Sequence, residues 1–469
     1  MARRQTAWSK VARVLNTAGA LLLLLWAASA GGQSSYSWVA SYGGLEDEHA
    51  WVVEATEDGE YAVAGWTQSF GVIEVGAWVV KLREDGTVRW QKVYNEREEC
   101  ASFVQETSDG GLALAGLSSS GAGGYDFWVM KLRDDGSIEW QNAYGGSEDD
   151  QASCIRRTSD GGYVVAGETQ SFGEGDWDIW ILKLDASGAI QWQKTYGGSG
   201  VDTSSAEPIV QTTDGGYAVC GRTESFGAGA GDFFVFKLRA DGSVEWQRSY
   251  GGADYDYAHA IRQTTDGGYV VAGDTMSFGA GDSDVWVVKL DPSGAIQWQK
   301  AFGGGGTDQA WSIQTTADGG YVIGGATESF GAGDSDGWIV KLRADGSVLW
   351  QRTVGGEDTD VACSVRPTSD GGVIAVDSTA SFGGGGDDFL VVKLDAEGVI
   401  PGCDLVGNAP GTATGTNATT TVTRAKVASS DALVVRTHVV PRDTEGSVDR
   451  QCFSAEFTPR EPRRHVHPR

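Results

Sequence analysis

From Ala258 to Lys300 the apolar residues fall in short runs, broken by glycine and aspartate, and never follow the 3.6-residue spacing of a helix. Tyr269–Gly273 (YVVAG) and Trp286–Leu290 (WVVKL) are rich in β-branched and aromatic side chains and read as strands. Ala295–Lys300 (AIQWQK) alternates Ile296 and Trp298 with polar neighbours, the pattern of a strand with one better-buried face. Ala258–Thr264 (AHAIRQT) supplies a fourth, with Ala258, Ala260 and Arg262 expected on one side and His259, Ile261 and Gln263 on the other. Tight turns at Thr265–Gly268 and Asp291–Gly294 join two of the pairs, glycine supplying the positive φ that such turns need. The loops Ser277–Asp284 and Phe302–Gln309 make the longer connections.

This unit occurs seven times. Its turn aspartate returns at Asp58, Asp109, Asp160, Asp214, Asp266, Asp318 and Asp370, in steps of 51, 51, 54, 52, 52 and 52 residues. Four antiparallel strands repeated at this period predict an all-β, seven-bladed β-propeller of four-stranded antiparallel blades. A tryptophan strand recurs at Trp38, Trp90, Trp140, Trp192, Trp246, Trp298 and Trp350, and Trp38 has no preceding blade of its own. The last unit instead runs into Pro401, a residue that cannot donate to a strand ladder. The ring is therefore expected to be closed by the N-terminal strand Trp38–Tyr42, which leaves no long free edge.

Residues 1–30 read as a secretory signal peptide, with a basic start, a five-leucine apolar core and Ala28-Ser29-Ala30 as the cleavage site. The propeller is expected over 31–403, followed at 404–469 by a Thr/Ala/Gly-rich linker and a basic tail. Within that tail Ala409–Thr423 reads as extended linker, Ala432–Val440 as one strand, and Pro459–Arg469 as disordered. The formal charge of −28 is concentrated in the propeller, since both ends carry a basic excess. That balance excludes nucleic acid and anionic lipid as partners, both of which need basic patches. No segment reaches membrane-spanning length, and the mature chain is expected to be a monomer in the periplasm, at the cell surface or in the medium. In such a compartment Cys403 and Cys452, which flank the tail, are candidates for a disulfide, although six cysteines allow fifteen full pairings.

The copies KLDPSGAIQW (Lys289–Trp298), KLDASGAIQW (Lys183–Trp192) and KLRADGSVEW (Lys237–Trp246) resemble the tryptophan-docking repeat of quinoprotein-like propellers. The longer pattern DGGYVVAGxTxSFGxGxxDxWxxKLD resembles secreted bacterial and archaeal propeller proteins of unestablished activity, over nearly all of residues 38–400. The resemblance implies that the tryptophan strand is outermost and AHAIRQT innermost, lining the central channel. It also implies that the GAGDSD and GGGGTDQ loops share one rim. No adjacent cysteine pair exists, so the cofactor-covering disulfide of the quinoprotein alcohol dehydrogenases has no counterpart.

The candidate chemistry lies on that rim. Asp176 and Asp178, Asp282 and Asp284, Asp334 and Asp336, and Asp387 and Asp388 each put two carboxylates in one glycine-rich loop. Calcium takes six to eight oxygens from such mixtures and is the one cofactor these residues point to. The competing reading makes the aspartates turn caps, and the lysines Lys81, Lys131, Lys183, Lys237, Lys289, Lys341 and Lys393 ion-pair partners repeated in each blade. Trp51, Trp66, Trp177 and Trp311 stand outside the repeat columns and are candidates for stacking on a ligand. No catalytic residue stands out: His49 and His259 fall in different blades, and no GxSxG elbow, P-loop or CxxC pair occurs. The sequence thus favours a secreted, non-enzymatic binding or scaffolding module that offers an acidic rim to a protein, a glycan or calcium. The alternative is an extracytoplasmic enzyme, either a glycan hydrolase or lyase or a degenerate quinoprotein-like oxidoreductase.

Overall fold

The computed structural model describes residues 36–95, 97–121, 123–403 and 405–408. Beyond these it describes the short stretches 412–415, 419–422, 426–429, 433–435, 440–443 and 447–455. The expected signal at 1–30 and the end of the tail lie outside the described residues.

Seven antiparallel sheets form the ring, and no helix occurs among the described residues. Numbered by their turn aspartates, blades 1 to 7 carry Asp58, Asp109, Asp160, Asp214, Asp266, Asp318 and Asp370. Blade 5 shows the pattern: Asp256–Gln263 is innermost, then Tyr269–Thr275, Asp284–Leu290 and the tryptophan strand Ile296–Gly303. Closure follows the expectation, since Tyr36–Gly43 pairs with Asp388–Leu394 of blade 7 and sets Trp38 opposite Lys393.

Blades are locked to their neighbours by the tryptophan strands. The indole N–H of Trp90 donates to the Asp134 carbonyl of the next blade at 2.8 Å, and that of Trp192 to Ala240 at 3.1 Å. The left-handed glycine of each neighbouring turn lies flat on the ring: a Cβ at Gly346 (φ 74°) would stand 2.9 Å from Trp298. Only glycine fits such a site without strain. Tyr94, Tyr144, Tyr196 and Tyr250 add a buried hydroxyl donated to the same turn at 2.6–2.7 Å.

The lysine column is architectural. Lys289 is buried between strands, donating to the Leu290 carbonyl and to the turn carboxylate of Asp266 at 2.9 Å. Lys131, Lys183, Lys237, Lys341 and Lys393 repeat this pairing with their own turn aspartates at 2.8–2.9 Å.

The low-complexity tail carries short strands. Short strands at Val406–Asn408, Thr412–Gly415, Thr419–Val422, Lys426–Ser429, Leu433–Val435, Val440–Asp443 and Ser447–Ala455 pair with the outermost strands of blades 6, 5, 4, 3, 2, 1 and 7 in turn. The expected single strand at Ala432–Val440 is replaced by two, on adjacent blades. The physical reason is the outer edge of each blade, a row of unpaired backbone groups that an extended chain can satisfy. Threonine and valine suit such strands.

Candidate functional site in the channel mouth

Each innermost strand repeats one local irregularity. The pairing with the second strand slips at Trp51, Ser102, Ser153, His259 and Trp311 in blades 1, 2, 3, 5 and 6. A β-bulge re-aims a side chain, so the simple alternation expected across AHAIRQT fails at His259. Blade 4 departs further. Its innermost strand is split into Asp202–Thr203 and Ile209–Gln211, and the loop between them bonds the next blade through Glu207 N–H to the His259 carbonyl at 2.9 Å. Ala206 in that loop is held at φ 57°, a left-handed conformation unusual for alanine.

These departures line a cavity of about 580 Å³, within the size range of small-molecule sites. Its wall carries Trp51, Phe103, Tyr257 and Trp311, with Gln151, Ser153, Ser204, Ser205, Glu168, His49 and Asp387 as polar groups. Glu207, on its inner side, is almost fully buried and ties the channel together. Its carboxylate accepts from Arg156 and Arg366 at 2.8 Å each, from Ser312 at 2.8 Å and from Gln314 at 3.1 Å, and it pairs closely with Arg262. Arg366 also donates to Glu54 at 3.0 Å, and Arg156 lies 4.5 Å from the Phe103 ring centre. All seven blades contribute to this knot. These three arginines are therefore spent on the carboxylates of Glu207 and Glu54, and the cavity wall carries Glu168 and Asp387.

Of the two histidines that the sequence placed in separate blades, His49 lines the cavity. His49 Nε2 lies 2.7 Å from Asp387, and its ring stacks on Trp66 at 4.6 Å. His259, in contrast, is buried, with Nε2 at 2.6 Å from Asp274 and Nδ1 at 2.7 Å from the Ser205 hydroxyl. Tyr257 lies parallel to His259 at 4.4 Å and shares a hydrogen bond with Thr203 at 2.9 Å. Burial raises the Glu168 carboxyl to about 7, against the lowering effect of the Ser204 N–H. Burial likewise pushes the Cys100 thiol up to about 12, against a bond with Trp51, which leaves it unreactive at neutral pH.

Of the four tryptophans singled out by sequence, Trp51 and Trp311 line the cavity and Trp66 backs it through His49, whereas Trp177 lies in the rim loop of blade 3. The rim aspartates divide. Asp178, Asp284, Asp336 and Asp388 turn inward, each Oδ2 accepting two successive loop N–H groups, as from Ala280 and Gly281 at 2.9 and 3.0 Å. Asp176, Asp282 and Asp334 point to solvent, and Asp387 is taken by His49. Among the described residues no group of three or more His, Cys, Asp or Glu side chains is arranged to hold a metal ion. Cys403 is disulfide-bonded while Cys100, Cys154 and Cys220 are free; the side chain of Cys452 lies outside the described ones.

Sequence reasoning missed Ser205, Tyr257, Asp274 and Glu168. One signal was present: the single 54-residue step falls between Asp160 and Asp214, and its two extra residues lie in the loop that carries Ser205.

No family model matches the chain, and no curated protein matches it. Among solved structures it is similar to a puromycin hydrolase, at 13% identity and a TM-score of 0.33, over 65% of this chain and 46% of that one. It is also similar to the tail fiber of Staphylococcus aureus phage P68, at 12% identity and a TM-score of 0.27, over 77% of this chain and 52% of that one. A eukaryotic initiation factor matches at 10% identity and a TM-score of 0.30, over 75% of this chain and 91% of that one. The chain thus spans about half the length of the first two. Likeness at this level carries no functional argument, and the assignment as a seven-bladed β-propeller rests on the strand pairings themselves.

Proposed function

We propose that this is a secreted β-propeller that binds a small, uncharged ligand, a glycan unit of one or two sugars, in the cavity at the channel mouth. The observation that carries the reading is asymmetry. Columns of the innermost strand that vary from blade to blade hold Trp51, Trp311 and Tyr257, and these lie with the blade 4 loop on one cavity. Indole faces stack on the apolar faces of sugar rings, while Gln151, Ser153 and Glu168 offer hydrogen bonds at their edges. An anionic ligand is disfavoured by Glu168 and Asp387 on the wall. The disulfide at Cys403 supports an oxidising compartment, in keeping with the signal read at residues 1–30, and Cys452 is the partner we assign to it.

The test is a titration of tryptophan fluorescence with neutral mono- and disaccharides beside their uronic acid counterparts. Saturable quenching by a neutral sugar, with none by the acidic ones, is expected. No response from any neutral sugar, or preference for the acids, would overturn the reading.

A further inference from the structure

We infer that Ser205 is a nucleophile for acyl transfer, activated by His259 and Asp274, and that the cavity cleaves a small uncharged carboxylic ester. This rests on the binding reading only for the identity of the alcohol, an O-acylated sugar. Three observations meet at the residue. First, Ser205 lines the cavity and is only partly buried, so a ligand there meets the residue. Second, the Ser205 hydroxyl, the His259 ring and the Asp274 carboxylate form a continuous chain at 2.7 and 2.6 Å. The buried carboxylate accepts the Nε2 proton, which fixes the tautomer and leaves the Nδ1 lone pair facing the hydroxyl. Third, the residue after the nucleophile, Ala206, is held at φ 57° in a loop that exists only in blade 4. Backbone held in such a region persists only where the surroundings impose it, and it collects at functional sites.

A structural role explains these facts less well. A serine needed only to cap His259 requires neither the strained loop nor access to a cavity.

The reaction balances with water as the only co-reactant. Ser205 Oγ attacks the ester carbonyl carbon while its proton passes to His259 Nδ1. The tetrahedral adduct collapses by breaking the bond to the alcohol oxygen, and the alcohol leaves with that proton. Ser205 is then an acyl ester. Water, giving its proton to the same nitrogen, releases the carboxylic acid and restores the hydroxyl. Tyr257, whose hydroxyl also bonds Ser205 and Thr203, is a donor on the cavity wall for the developing oxyanion. Asp274 is a positioning residue.

The experiment uses the full chain and a fluorophosphonate, which forms the same bond to an activated serine and expels fluoride. One adduct per chain on the peptide containing Ser205 is expected by intact mass and fragmentation. Ser205→Ala should abolish it, and His259→Gln should slow it by about 100-fold or more. Asp274→Asn should slow it as well and alter the pH profile of labelling, which loss of a packing contact alone would not do. Melting temperatures of the variants separate chemistry from misfolding. No adduct on wild type, or an adduct whose rate is unchanged in His259→Gln, overturns the proposal. Sugar titration keeps the two readings apart: sugar binding retained by Ser205→Ala shows a pocket that has lost only its nucleophile, whereas wild type that labels but binds no sugar upholds the nucleophile and overturns the binding reading.

Discussion

The carboxylate of Glu207 meets the guanidinium of Arg366 at 2.8 Å although 159 residues separate them in the chain. The contact spans the channel from blade 4 to blade 7, and Arg156 and Arg262 converge on the same carboxylate. Removing one partner of a buried pair strands the others. Glu207→Gln is therefore expected to destabilise the protein by about 3–5 kcal/mol. Chemical denaturation of the variant checks this, and a change below about 1 kcal/mol would show that the arginines find other partners.

Ala206 carries strain that glycine would not. A left-handed alanine costs roughly 1–2 kcal/mol, so Ala206→Gly is expected to raise the melting temperature slightly while loosening the loop that holds Ser205. Faster backbone exchange at 203–207 in the glycine variant, followed by hydrogen–deuterium exchange, is the accompanying sign.

Stability should pass through a maximum near pH 4. Burial raises Asp178 and Asp388 to about 6, against loop N–H bonds and helped by Asp202 and Glu48 respectively. Between the ordinary value of 3.8 and about 6 the folded chain holds protons that the unfolded chain has released, so stability falls as pH rises through that window. The turn aspartates act in the opposite sense. For Asp160 and Asp266 burial is outweighed by a threonine hydroxyl, a lysine and a glycine N–H, which hold them at about 2. Their contribution is present above 3.8 and lost as pH falls towards 2. A melting series from pH 2 to 8 measures both limbs, and Asp178→Asn should flatten the upper one.

Deleting residues 404–469 uncovers the outermost strand edge of every blade. The truncated chain is expected to melt several degrees lower and to self-associate through those edges. Light scattering and calorimetry check this, and unchanged size and stability would mean that the tail strands add nothing to the fold.

What repeats was legible in the sequence, because each copy restated it. The strands, the turns, the Lys289–Asp266 pairing and the closure by Trp38 all recur at fixed columns or fail in one informative place. The site was not legible, for the opposite reason. Ser205, His259 and Asp274 come from two blades and three strands or loops, and each occurs at a column where other blades hold something else. Closeness of that kind is produced by ring closure and by the bulge at His259, which no local pattern encodes. For the tail, composition reports an extended chain without reporting the edge on which its strands lie.

The ligand is expected to enter the channel mouth and not the acidic rim. Calorimetric titration of the responding sugar into wild type, Trp311→Ala and the double variant Asp282→Asn/Asp284→Asn tests it most directly. Binding should be lost in Trp311→Ala and kept, within error, in the rim variant. Binding that survives in Trp311→Ala and disappears in the rim variant would contradict it and return the site to the carboxylates.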